Sequence, residues 1–224
     1  MFWQKKKQTG SAMLVLQEAV ALQQRGNFTE ARKKLEELAA SLREDKDEKL
    51  LPAVLSQLSQ VCFRLGDVKQ AAKYVSESAR IRTENRDFKG LSIDYQMIGT
   101  MLVAADKLDE AHGYFSDSLG LATTVGDKTL IASAESNLGL VASLRGNYSE
   151  AENHFQKSQS IRQELGDKLG IAKNLNHLGK IREAKGRYEE AASLYEESLS
   201  LLRVLGAPEA AIALDNLNRV KRRK

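Results

Sequence analysis

Apolar residues along this chain recur at spacings of three and four, the period of a helix with one buried face. Between Lys128 and Arg145 the stripe is Ala134, Leu138, Val141 and Ala142. Between Tyr148 and Leu165 it is Tyr148, Ala151, Phe155 and Ile161. Asp127 stands just before the first stripe, where a carboxylate accepts from the free N–H groups of a first helical turn. Gly146-Asn147 separates the two stripes, and both residue types tolerate the left-handed backbone that ends a helix. Gly166-Asp167 turns into the next segment. The pattern over 128–167 predicts an antiparallel helix pair.

That pair returns every 40 residues. Gly26-Asn27-Phe28-x-Glu30-Ala31 recurs as Gly66-Asp67-Val68-x-x-Ala71 and Asp106-Lys107-Leu108-x-Glu110-Ala111. It recurs again as Gly146-Asn147-Tyr148-x-Glu150-Ala151 and Gly186-Arg187-Tyr188-x-Glu190-Ala191. Asp47, Asp87, Asp127 and Asp167 keep the same step. A phase-locked array of this kind buries its apolar faces against neighbouring repeats, which is the principle of a solenoid. Propeller blades and HEAT or armadillo repeats have similar periods. No strand-like alternation supports the first, and the column of small residues in mid-helix is not a demand of the others.

That column is Ala19, Ser59, Gly99, Gly139 and Gly179. After each turn come Ala31, Ala71, Ala111, Ala151 and Ala191, then Leu35, Val75, Phe115, Phe155 and Tyr195. The order of small residue, turn glycine, aromatic, alanine and aromatic resembles the tetratricopeptide repeat, in its 40-residue form. The resemblance covers about residues 11–205. It implies an all-α, right-handed superhelix of five helix pairs, at about 11–47, 48–87, 88–127, 128–167 and 168–207 within 11–207. Residues 1–10 read as a basic N-terminal tail, 208–220 as a capping helix and 221–224 as a basic C-terminal tail. In the capping helix Pro208 falls in the first turn, Ile212, Leu217 and Val220 form the apolar stripe, and Asp215, Asn216, Asn218 and Arg219 face away.

Charge changes the picture less than the pI near 9.0 implies. Lys5, Lys6 and Lys7 together with Arg219, Lys221, Arg222, Arg223 and Lys224 supply eight positive charges against a formal net of +4, so the body between them sits at −4. A nucleic-acid-binding array carries a basic stripe along its repeats. Here the basic residues gather at the ends, so nucleic acid is not the expected partner and tail-mediated binding is a remote alternative. Phe2 and Trp3 beside the N-terminal lysines allow at most a weak peripheral membrane contact. The single Cys62 excludes an internal disulfide and fits a reducing, cytoplasmic setting. Cys62 falls in a core column, and His112, His154 and His177 occupy different repeat positions, so neither metal nor catalytic spacing emerges. The expectation is a non-enzyme with no cofactor, no metal and no small-molecule substrate.

The resemblance implies that the first helix of each pair lines a concave groove. The positions two before and one after the mid-helix small residue then carry Gln57 and Gln60, Thr100, Asn137 and Leu140, and His177 and Lys180. Arg64, Gln96, Lys173 and Asn176 lie beside them. Amides in this column offer a donor and an acceptor to the backbone of an extended segment. These eleven residues form the expected peptide-binding face of an adaptor or scaffold whose partner is another protein or peptide. A domain that senses a ligand or signalling peptide by changing dimensions is the alternative.

Overall fold

Asparagine or aspartate before most of the apolar stripes, and glycine after most of them, cut the chain into helices. A computed structural model describes residues 2–223, with side chains described for residues 11–223. Phe2, Trp3 and Lys5 to Lys7 therefore lie outside the described side chains, as does Lys224. Among the described residues there are eleven helices and no strand. The chain divides into two compact units, residues 1–107 and 108–224. The first holds α1 (Phe2–Gln24), α2 (Phe28–Glu44), α3 (Leu51–Arg64), α4 (Val68–Glu84) and α5 (Phe88–Ala104). The second holds α6 (Leu108–Val125), α7 (Lys128–Leu144), α8 (Tyr148–Leu165), α9 (Lys168–Ala184), α10 (Tyr188–Val204) and α11 (Ala210–Lys221).

Within each unit every helix packs on its predecessor, and the short turns between them enforce antiparallel pairs. The fold class is all-α, a solenoid of helix pairs with a terminal helix. Asp67, Asp87, Asp127 and Asp167 each accept from a backbone N–H three residues on, satisfying a donor that the helix itself cannot. At the turns Gly26, Gly66, Gly146 and Gly186 adopt φ of 73–81°. Asp106, which stands in the same column, adopts φ 59° without being glycine.

The cores are built from the small and large columns in complementary sizes. In the first unit Ala19 and Leu35 share a cluster with Val54, Leu55 and Leu58. In the second, Gly139 and Gly179 stand opposite Phe155 and Tyr195, so that a Cβ on them would lie 3.1 Å and 2.6 Å from the rings. Opposite Phe155 of α8 and Tyr195 of α10, glycine leaves room for the ring that a Cβ would crowd. Ala151 is fully buried beside Ala142, Phe155 and Ile181. Ala151→Leu should therefore lower stability by about 1–3 kcal/mol through overpacking, read as a lower urea midpoint.

A second layer of order has a step of 80 residues. In the first unit Ser56, Ser78, Arg82, Asp87 and Gly90 gather around Asp94. In the second, Ser136, Ser158, Arg162, Asp167 and Gly170 gather around Asn174. Asp94 is fully buried. It accepts from Ser56 Oγ and Ser78 Oγ at 2.6 Å each and lies 3.2 Å from Arg82 Nε. Asn174 instead donates to Ser158 Oγ at 2.9 Å and accepts from Ser136 Oγ at 2.8 Å. Ser158 Oγ accepts that bond and donates its own hydrogen to the carbonyl of Ala132. The arginines also reach the capping carboxylates, Arg82 to Asp87 at 3.4 Å and Arg162 to Asp167. At Gly90 and Gly170 the guanidinium takes the place of a Cβ, its Nη1 lying 1.4 Å and 1.9 Å from that position.

The terminal helix departs from its sequence reading. Pro208 and Glu209 form a turn, and α11 starts after them at Ala210. Ile212 is 54% exposed, while Ala213 joins Leu217 and Val220 against Tyr195, Leu199 and Leu202 of α10. Asn216, expected to face away, is buried. In the second helix of the fourth repeat, Tyr148 and Ile161 are only half-buried, and Ser158 takes a core place.

Candidate functional site

The first helices of successive pairs, α1, α3 and α5 in one unit and α7, α9 and α11 in the other, touch along one side through polar rungs. Gln23 Nε2 donates to Gln57 Oε1 at 3.0 Å, linking α1 to α3. Asn216 Nδ2 donates to Asn176 Oδ1 at 2.9 Å, linking α11 to α9. Lys173 pairs with Glu209 at 2.8 Å in the same region. Each rung joins residues 34 to 40 apart, close to one repeat.

The eleven residues expected on the groove face differ in what remains open. In the first unit Gln60, Arg64 and Thr100 are exposed and Gln57 and Gln96 are half-buried. Gln57 keeps its Nε2 free of the rung, and Thr100 Oγ1 donates to the Gln96 carbonyl at 2.8 Å. In the second unit Lys173 and Lys180 are exposed, and Asn137, Leu140, Asn176 and His177 are half-buried. Leu140 packs beside the cluster of Ala142, Ala151, Phe155 and Ile181. Asn137 makes no hydrogen bond with any described residue, so its whole amide is available. Asn176 is partly committed to α11 and Lys173 to Glu209 in the turn before it, pairings that single-helix reasoning misses. The signal was present in the sequence, since Asn216 stands one period after Asn176.

His177 is held structurally. Its ring stacks on Phe155 with centroids 5.3 Å apart and planes 5° from parallel. Burial, with Lys180 and Lys173 nearby, lowers its pKa to about 4, so it is neutral near pH 7. The unfolded chain then takes up a proton near pH 6.5 that the folded chain refuses until about pH 4. Stability from this group is full above pH 6.5 and is lost as pH falls towards 4. His177→Gln should remove about 1–2 kcal/mol of the stability difference between pH 7 and pH 5, measured by urea unfolding at both pH values.

The other titratable groups serve the fold. His154 Nδ1 lies 2.6 Å from Glu135 Oε2. Glu183 accepts from Arg219 and from Tyr195 Oη, and the Arg219 hydrogen bond holds its carboxyl below the usual range. Cys62 is buried, which pushes its thiol pKa up and leaves it a core residue. Phe63 and Val103 are half-buried and Leu144 exposed, so only the last adds open apolar surface. No described helix is long and apolar enough to cross a membrane.

No curated protein matches the chain in sequence. Several solved structures share its fold. BtubC from P. vanneervenii aligns over 97% of this chain and 83% of its own, with 18% identity and a TM-score of 0.65. The Rap conjugation gene regulator of plasmid pLS20, solved in complex with the Phr* peptide, aligns over 90% of this chain at 20% identity and a TM-score of 0.77. This chain spans 56% of that regulator's length. A signal transduction ATPase from Pyrococcus horikoshii with a tetratricopeptide repeat sensor aligns over 91% of this chain and 31% of its own, at 19% identity and a TM-score of 0.74. Residues 130–204 match the tetratricopeptide repeat family model. The matched segment is thus similar to tetratricopeptide repeats, and the same register of turns and small residues recurs in the repeats before it.

Proposed function

We propose that the chain is a non-catalytic interaction module that holds an extended peptide segment of a partner protein against the open face of its first helices. The observation that carries this reading is Asn137, an amide without a partner among the described residues, set between the half-buried Leu140 and the fully buried Leu138. Its amide atoms reach solvent, so they are open to donate to and accept from the backbone of a partner segment. Gln60 and the free Nε2 of Gln57 offer the same chemistry in the first unit. The fold likeness to a regulator solved with a bound peptide supports the reading.

The test is a displayed library of random twelve-residue peptides selected on the purified full chain. Asn137→Ala should weaken the selected peptides by about 1–2 kcal/mol while moving stability by less than about 0.5 kcal/mol, because no internal bond is lost. Lys157→Ala, on α8, should do neither. Peptides indifferent to Asn137→Ala and Gln60→Ala but lost on second-helix substitutions would overturn the proposal.

The likeness to a protein with a tetratricopeptide repeat sensor favours a second reading, in which the bound peptide is a signal and binding alters the dimensions of the chain. Small-angle scattering with and without a selected peptide separates the two. An unchanged radius of gyration fits a rigid adaptor, and a changed one fits a sensor.

A further inference from the structure

The turns that join one helix pair to the next differ between the two units. At positions 40 residues apart, the first unit carries Asp45 and Asn85, and the second carries Val125, Leu165 and Leu205, all three exposed. Within the second unit these turns stand side by side, since Lys128 reaches Glu164 at 2.7 Å and Lys173 reaches Glu209 at 2.8 Å. One period after Lys128 and Glu164 come Lys168 and Val204. The carboxylate is gone: Val204 is 81% exposed, and Lys168 is exposed with no ion pair to any described residue. A cation in the first turn of α9 opposes the helix dipole, so helix stability does not account for it. Arg203, at the end of α10, is equally free. The carboxylates of the same turns are all engaged, Asp127 in a cap and Glu164, Asp167 and Glu209 in ion pairs.

We propose that this turn edge of the second unit is a peripheral docking surface for an anionic lipid bilayer. Leu165, Leu169, Val204 and Leu205, all exposed, enter the boundary between headgroups and acyl chains. Lys168 and Arg203 lay their apolar stems beside them and keep their charges among the anionic headgroups. Apolar side chains on separate turn tips suit a fluid surface, which closes around each tip, whereas a folded partner must supply a pocket for each. The two free cations choose a negative surface over a neutral one. So small a contact gives weak, reversible attachment that salt reverses. The edge lies at the ends of the helices, apart from the first-helix face, and does not depend on the peptide-binding reading.

The experiment sediments the full chain with vesicles of phosphatidylcholine, alone or with about one-third phosphatidylserine. The chain should bind only the mixed vesicles. Lys168→Glu and Arg203→Glu should each weaken that binding by about fivefold or more, as expected for cations near a charged surface. Val204→Glu is the sharpest variant, because it removes an apolar tip and offers Lys168 the pair that Lys128 makes with Glu164. It should abolish vesicle binding with an unchanged or higher melting temperature. Arg187→Glu, in the turn at the other end of α9, makes the same charge change and should alter binding less than twofold. An NBD label on Leu205→Cys should shift to the blue with the mixed vesicles, and one on Arg187→Cys should not. Absence of binding to the mixed vesicles, or equal binding to phosphatidylcholine alone, would overturn the proposal. So would an equal loss in Arg187→Glu, or a Leu205→Cys label that stays in water while the vesicles bind, since the basic tails would then be responsible. A single-stranded RNA or an acidic helical peptide that binds where vesicles do not, and is lost on the same variants, would overturn lipid as the occupant.

Discussion

Replacing Asp94 by alanine should destabilise the protein by about 3–5 kcal/mol, the usual result of removing one partner of a buried ion pair. Arg82 is nearly buried and would keep only the exposed Asp87, at 3.4 Å, as its counter-charge. Asp94→Asn should cost less than about 1 kcal/mol, because the chain already contains the alternative arrangement. Around Asn174 the amide donates to Ser158, Ser158 turns its proton to a carbonyl, and Arg162 donates to Ser158 Oγ and pairs with Asp167. The Pro52 carbonyl lies 3.0 Å from Ser78 Oγ and is ready for the same exchange. Burial raises the Asp94 pKa above its ordinary value, so its contribution is greatest below about pH 4 and declines as pH rises through the raised value. Asp94→Asn should lose that decline. Urea midpoints for both variants at pH 7 decide the matter, and equal losses would show that the cluster is not a hydrogen-bonded unit.

Gly179→Ala should cost about 3 kcal/mol, the upper end for overpacking by one methyl group, since its Cβ would lie 2.6 Å from the buried Tyr195 ring. Gly139→Ala, at 3.1 Å from Phe155, should cost less. The first repeat shows how the conflict is relieved, with Ala19 standing in the small column and Leu35 in the large one. Combining Gly179→Ala with Tyr195→Leu should therefore be less destabilising than the two single changes added together, by at least 1 kcal/mol. Simple additivity in thermal unfolding would mean that these columns do not pack as a size-matched pair.

What the sequence disclosed and what it withheld divide along the range of the interactions. The bounds of α8 and the start of α7 follow directly from the caps and turns, because each depends on backbone within a few residues. Columns with a step of 40, such as Ala151 and Phe155, are visible because every repeat meets its neighbours in the same way. The Asp94 and Asn174 clusters escape that reading. The repeat between them carries Ala122 and Ala134 where the clusters have an arginine and Asp94 or Asn174, so a 40-residue comparison misses these two positions and only an 80-residue one pairs them. The stripe of α11 was misplaced because the turn at Pro208-Glu209 delays the helix start and brings Ala213, not Ile212, onto α10. On the candidate face the residue types were legible, but the commitment of Asn176 to α11 and of Lys173 to Glu209 depends on partners about one repeat away. Those leave Asn137, Gln60, Arg64 and Lys180 as the freest members.

Photo-crosslinking with a selected peptide tests the central claim most directly. A benzophenone group is placed at the middle of the peptide, the full chain is irradiated with it, and the adducts are located by mass spectrometry. If the first helices form the binding face, adducts fall on α3, α5, α7 or α9 and vanish with excess unlabelled peptide. Adducts confined to α2, α4, α8 or α10, competed in the same way, would contradict it.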